Sequence, residues 1–230
     1  MVMERIKTGI SGLDEMLMGG LPKNKHVAIY GGPGCGKSSL TFEFLYRGAQ
    51  QGEPGLYVSL EETEEDMKAN MANSFSQFTD LPQMYKSKKL QVKKPDKLDL
   101  EETAELIEDQ ISDHDVKRVV IDSATMIKLS FKEELEYRQT LFEFFSLLRT
   151  LDCTVMMTLE ASHARKEDLT FDIEHYVMDG IINLYNHEQG DRRIRALEIF
   201  KMRGTDHSRE LVPFKVMPDG IKVYVGEKVF

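Results

Sequence analysis

Short, continuous apolar runs recur along this chain, separated by segments of helical period. Val27-Ala28-Ile29-Tyr30 is one run and Leu56-Tyr57-Val58-Ser59-Leu60 a second. Val116 to Ile121 is a third and Thr154-Val155-Met156-Met157-Thr158-Leu159 a fourth. Their length and their β-branched and aromatic content predict strands buried on both faces. Between them lie predicted helices from Ser39 to about Gln51, from Thr63 onward, over 99–112, and over 133–151. The 99–112 helix carries Leu100, Ala104, Ile107 and Ile111 at helical spacing. In the 133–151 helix, Leu135, Phe142, Phe145 and Leu148 form the expected inner face. Leu141, Phe144 and Leu147 broaden it toward core or subunit contact. Ser11 reads as the cap of a short helix bearing Leu13, Met16 and Leu17, closed by Gly19-Gly20.

The pattern changes after Gly180. Gly180 to Tyr185 predicts a fifth strand, Asn186 to Asp191 a turn, and Arg192–Met202 and Leu211–Met217 alternating strands. Pro218-Asp219-Gly220 then turns into Ile221 to Val225. Residues 79–98, rich in lysine, read as a solvated surface segment with one short strand, Leu90-Gln91-Val92. The whole predicts one α/β domain over 1–230. Its central sheet is mainly parallel, flanked by helices, with antiparallel strands at the C-terminal end. Ligands of such sheets bind beyond the C-terminal ends of the parallel strands.

Several chemistry-bearing residues fall at those ends. Gly31-Gly32-Pro33-Gly34-Cys35-Gly36-Lys37-Ser38 fits the phosphate-binding pattern G-x-x-x-x-G-K-[ST], between a predicted strand and a predicted helix beginning near Ser39. Its glycines let backbone N–H groups point into one concavity at a helix N-terminus. Lys37 suits the β- and γ-phosphates of a nucleotide, and the Ser38 hydroxyl suits Mg2+. Asp122 ends the third run, as a carboxylate holding the Mg2+ shell opposite Ser38 should. Glu61 and Glu62 follow the second run, expected beside the phosphate-loop strand. Either can orient and deprotonate a water; neighbouring side chains in extended chain point apart, and the sequence leaves open which one acts.

Composition narrows the setting. At 230 residues, with 41% hydrophobic and 30% charged residues, the chain is ordinary for a soluble domain. No apolar stretch approaches a membrane span, and Met1 to Ile6 lacks a signal-peptide core. The two cysteines, Cys35 and Cys153, sit where no disulfide framework is expected. These features predict a cytoplasmic protein. The net charge of −9 disfavours nucleic-acid binding. Lys128, Lys132, His163, Arg165 and Lys166 are the basic candidates for such a role.

Taken together, these motifs resemble the RecA superfamily, and within it the KaiC-like ATPases. Arg5 to Pro22 is similar to that family's entry segment, a Thr-Gly-x-x-Gly-Leu-Asp followed by Gly-Gly-Leu-Pro. Tyr57 to Glu62 resembles its strand with paired glutamates. Phe200 to His207, followed by Pro213-Phe214, resembles its Lys-x-Arg-Gly segment. The resemblance implies a RecA-like P-loop fold and ATP hydrolysis with Mg2+. It also implies a homo-oligomeric ring, usually a hexamer, with ATP between subunits. Gly32, Pro33, Gly34, Cys35, Gly36, Lys37, Ser38 and Ser39 would hold the nucleotide from one side. Lys201, Met202, Arg203, Thr205 and His207 of a neighbouring copy would meet it from the other. Lys201 and Arg203 would act in trans on the γ-phosphate; by themselves they read as two exposed residues on one strand face. One departure matters: where the phosphorylating KaiC domain has a Ser-Thr pair, Glu174 to Asp179 has neither. ATP-driven assembly or signalling is therefore expected, not autophosphorylation. A recombinase-like DNA-binding ATPase and a non-hydrolysing ATP/ADP sensor are the alternatives.

Overall fold

The computed structural model describes residues 4–161 and 173–229. His163, Arg165 and Lys166 lie outside them. In chain order the elements are β1 (Arg5–Ile6), α1 (Leu13–Met16), β2 (Leu21–Pro22), β3 (His26–Gly31), α2 (Lys37–Gln50), β4 (Gly55–Ser59), α3 (Glu64–Ser74) and α4 (Leu81–Lys86). Then follow β5 (Leu90–Lys93), α5 (Leu100–His114), β6 (Arg118–Asp122), α6 (Thr125–Ser130), α7 (Glu134–Leu148), β7 (Thr154–Glu160) and α8 (Glu174–Val177). The antiparallel end comprises β8 (Gly180–Gln189), β9 (Arg192–Met202), β10 (Val212–Met217) and β11 (Gly220–Val223). A nine-stranded sheet runs β11-β10-β9-β8-β3-β7-β6-β4-β5. Every pairing from β8 to β5 is parallel; those among β8, β9, β10 and β11 are antiparallel.

Each central strand is buried on both sides, which explains the continuous apolar runs. Val27 and Ile29 of β3 enter one core with Leu40 and Phe44 of α2. Ala28 and Tyr30 enter the other, with Ile107 of α5 and Leu141 of α7. Tyr57 and Val120 likewise face the α2 side, whereas Leu56, Val58, Val119 and Ile121 face the α5/α7 side. The alternation follows from the two-residue period of a strand.

The entry segment is held by its own polar groups. The Asp14 carboxylate accepts from the backbone N–H of Thr8 (2.8 Å) and from the Thr8 hydroxyl (2.8 Å). Gly12 has φ 83, and a side chain there would meet the Val223 carbonyl at 2.3 Å. Gly12, not Ser11, precedes the first turn of α1, and it supplies no side-chain cap. Ser11 instead bridges to Lys222, with its carbonyl accepting from the N–H of Val223 (2.9 Å).

Three other local expectations change. The lysine-rich stretch contains α4 and the edge strand β5, because Leu81, Met84, Leu90 and Val92 pack into the α2-side core. Strand β8 runs on to Gln189, paired with β9 down to Arg192, so the expected turn at 186–191 shrinks to the connection after Gln189. On α7 the buried stripe is Tyr137, Leu141, Phe144, Phe145 and Leu148, while Leu135 (66% exposed) and Phe142 (58%) face outward.

One buried polar residue gives the fold a pH signature. His26 opens β3, is fully buried against Phe145 (ring centroids 5.1 Å), and neither ring nitrogen has a hydrogen-bond partner among the described residues. Burial pushes its pKa down from 6.5 to about 4, against the raising pull of Asp179 and with small help from Arg149 and Lys25. The unfolded chain thus takes a proton at His26 below about pH 6.5 that the folded chain refuses until about pH 4. Its contribution is complete above pH 6.5 and is lost as pH falls toward 4, to the extent of about 3 kcal/mol. Urea unfolding of the wild type and His26→Leu at pH 7 and at pH 4.5 checks this. The variant should lose less stability on acidification, by about that amount.

Candidate functional site

The phosphate-loop sequence makes a cradle where β3 hands over to α2. Gly36, with φ 103, sits at the N-cap of α2 in the left-handed region that a side chain disfavours. The chain can therefore turn sharply into a helix whose first residue is Lys37. Leu40, Phe42, Phe44 and Leu45 anchor that helix in the core. Lys37 bends back over the loop, its Nζ donating to the carbonyls of Gly31 (2.8 Å) and Gly32 (3.2 Å). Gly31 must be glycine: a Cβ there would meet the Cys35 sulfur at 2.5 Å and the Leu184 carbonyl at 2.6 Å. Cys35 is buried, and that burial raises its thiol pKa, so its sulfur packs as a neutral group. Pro33 stands exposed at the loop tip, and Ser39 lies in the first turn of α2.

A further cation reaches this loop. Arg195, on β9, donates its Nε to the carbonyl of Gly34 (3.2 Å). The alternation of β9 marks Arg195 as a polar position. Its meeting with the loop depends on β8 lying between β9 and β3, which no local pattern announces.

Asp122 and Ser38 both lie near the phenol of Tyr57. Asp122 ends β6, and its two carboxylate oxygens accept one hydroxyl each, from Tyr57 of β4 and from Thr158 of β7. The Tyr57 phenol is wholly buried and lies near Ser38 and Thr41 on α2. Burial and then the Asp122 charge hold its pKa well above the ordinary tyrosine value, so it remains a protonated donor. Among the described residues no three His, Cys, Asp or Glu side chains form an all-protein metal cage. The pair offered here, one hydroxyl and one carboxylate, fits Mg2+, which takes hard oxygen donors and shares its shell with phosphates and water.

The paired glutamates are placed differently from the expectation. Strand β4 does not adjoin β3; β7 and β6 stand between them. Glu61 and Glu62 instead follow the end of β4 beside Asp122: Ser59 is in register with Asp122, and the N–H of Leu60 donates to the Asp122 carbonyl (2.7 Å). Both acids are exposed. The Ser59 hydroxyl donates to the Glu62 carbonyl (2.8 Å), and the Asn70 amide of α3 donates to the Glu62 carboxylate (2.8 Å). Lys94 donates to the Glu61 carbonyl (2.9 Å), while the Glu61 carboxylate meets no partner among the described residues.

Lys201 and Arg203 lie at the other end of the sheet. Lys201 is in register with Ile181 of β8, which is in register with Ala28 of β3. Arg203 N–H donates to the Asp179 carbonyl, and Asp179 N–H to that of His26, five residues below Gly31. At ~3.3 Å per residue that is a drop of about 16 Å, beyond the reach of an arginine side chain. Both head groups turn toward α8: Lys201 donates to the carbonyls of His175 and Met178 (both 2.8 Å), and Arg203 to that of Tyr176 (2.9 Å). Burial, with the Arg203 charge, lowers the Lys201 pKa. Met202 is buried between them, where its side chain serves packing. Thr205 accepts from Arg5, and His207 is half-buried with its Nδ1 at the Ser208 carbonyl (2.8 Å). Beside Arg203 opens a groove of about 900 Å³, lined by Leu135, Phe142, Tyr176, Arg138 and Arg149 among others.

Comparisons with known proteins find relatives along nearly the whole chain. The family model described as "ATPase: KaiC" matches residues 6–228. The chain is 36% identical to a UPF0273 protein of Thermotoga maritima, covering 98% of each. It is 34% identical to the circadian clock oscillator protein KaiC of Picosynechococcus, matching 96% of this chain but 44% of that longer protein. A crystal structure of a KaiC-like protein from Pyrococcus horikoshii OT3 superposes with a TM-score of 0.85 at 34% identity, covering 96% of this chain and 99% of that one.

Proposed function

The chain belongs to the KaiC family of ATPases, and on that premise we propose that it binds and hydrolyses ATP with Mg2+ in a hexameric ring of like subunits, with the nucleotide between copies. The observation that carries this reading is the separation of the two cationic sets. The phosphate loop ends β3 at its top, Arg203 lies level with its base, and Lys201 is level with Ala28 in the lower half of the strand. A cation that serves γ-phosphate chemistry from there serves the site of another copy. The outward Leu135, Phe142 and Tyr176 beside Arg203 supply apolar surface for that contact.

In this reading Lys37 exchanges its loop carbonyls for the β- and γ-phosphates. Ser38 and Asp122 hold Mg2+, which when bound neutralises charge on the phosphate oxygens. A carboxylate of the Glu61-Glu62 pair takes a proton from water as the water oxygen bonds to the γ-phosphorus. The bond to the β–γ bridging oxygen breaks, releasing ADP and inorganic phosphate. Arg203 of the neighbouring copy stabilises the charge on the transferring group. Coupling of nucleotide state to assembly then makes the protein an ATP-driven switch.

Phosphate release and light scattering, each with and without Mg2+, test this together. The expected result is Mg2+-dependent phosphate release and a ring-sized particle with ATP. A monomer under all conditions would overturn the shared site. Binding without any single-turnover hydrolysis would favour a sensor instead. Stimulation by single-stranded DNA would favour the recombinase-like reading, which the net charge and the engagement of Lys128 by Glu174 (3.3 Å) oppose.

A further inference from the structure

The buried phenol of Tyr57 has no place in the motif, yet it donates to the carboxylate of Asp122. We propose that Tyr57 is a positioning residue that sets the carboxylate of Asp122 toward the cation, with Thr158 completing the clamp. This rests on the Mg2+-dependent reading above and adds to it residues from two further strands.

The geometry is specific. Asp122 sits on β6, between β4 and β7. Each flanking strand sends one hydroxyl to it: Tyr57 to Oδ2 and Thr158 to Oδ1. Two donors on two oxygens fix the carboxylate plane and leave further lone pairs on each oxygen for other partners. Tyr57 has a single hydrogen, and it goes to Asp122. Tyr57 is wholly buried, so its bond to Asp122 is one that solvent cannot replace. Outer partners of this kind govern metal affinity through the ligands they hold, commonly by 10- to 100-fold, roughly.

The substitution Tyr57→Phe removes only the oxygen and keeps the ring that packs on Phe42 (centroids 6.2 Å). Thr158→Val removes the other hydroxyl. The measurement is binding of a fluorescent ATP analogue, first without divalent cation and then in a Mg2+ titration, so that no turnover is needed. Both variants should bind the analogue like wild type without Mg2+. The Mg2+ concentration giving half of the affinity gain should rise about tenfold or more in each. An unchanged Mg2+ midpoint in the variants, with a clear Mg2+ effect in wild type, would overturn the clamp and leave the ATPase reading standing. A wild-type protein whose affinity ignored Mg2+ would overturn the Mg2+-dependent reading and the clamp with it. The two substitutions lie on different strands, so a folding failure in one leaves the other decisive.

Discussion

An equal mixture of Lys37→Ala and Arg203→Ala proteins is expected to hydrolyse ATP, although neither variant does so appreciably alone. The expectation follows from where the two side chains sit. Lys37 opens α2 at the top of β3, whereas Arg203 is level with its base and turned toward α8. No rotamer of Arg203 reaches the phosphate loop of its own chain. Loss of a charge-neutralising arginine from phosphoryl transfer lowers turnover by roughly 10³- to 10⁵-fold. In a mixed ring, a site is whole when an Arg203→Ala copy supplies the loop and a Lys37→Ala copy supplies the arginine. Random mixing makes about one site in four whole. Recovery of about that share of wild-type phosphate release, after the proteins are mixed without nucleotide and then given ATP and Mg2+, is the expected result. No recovery in particles shown to contain both variants would remove Arg203 from the chemistry. Arg203→Lys should restore part of the loss, since it keeps the charge without the planar fork.

The phosphate loop, Asp122 and the apolar strands were legible because each carries its reason within a few residues. A glycine at φ 103 before a helix, or a carboxylate closing a buried strand, depends on local chain chemistry. What stayed hidden depended on the order of strands. Glu61 and Glu62 end the strand after α2 in sequence, and nothing in that stretch says that β7 and β6 insert between β4 and β3. Arg195 was hidden for the same reason, as was the meeting of Tyr57 with Asp122. On α7 two apolar stripes compete at helical spacing. The sheet and α5 select the one through Leu141 and Phe145, and that choice leaves Leu135 and Phe142 outside beside Arg203. The exposed pair is the more informative for function, because a helix that binds only its own core has no use for it.

Replacing both Glu61 and Glu62 by glutamine should lower turnover by roughly 10²- to 10⁴-fold, the usual worth of a general base, while ATP still binds. Glutamine keeps the shape and removes the basic oxygen, and neither residue belongs to the phosphate loop. The single substitutions should divide unequally. Glu62 has its carboxylate tied to Asn70 and its carbonyl to Ser59. A carboxylate that accepts an amide hydrogen is held in place with a lone pair already engaged. Glu61 is anchored only through its backbone, by Lys94, and its carboxylate meets no other described group. That leaves Glu61 able to take the proton from water, with Glu62 bracing the turn that presents it beside Asp122. Single-turnover phosphate release should therefore fall nearly as far in Glu61→Gln as in the double variant, and less in Glu62→Gln. Lys94→Met, which frees the Glu61 backbone without touching either acid, should lower the rate of the chemical step and leave ATP affinity unchanged. Equal losses from the two single glutamine variants would show that the pair acts as one unit, and wild-type turnover in the double variant would take the proton transfer away from this turn altogether.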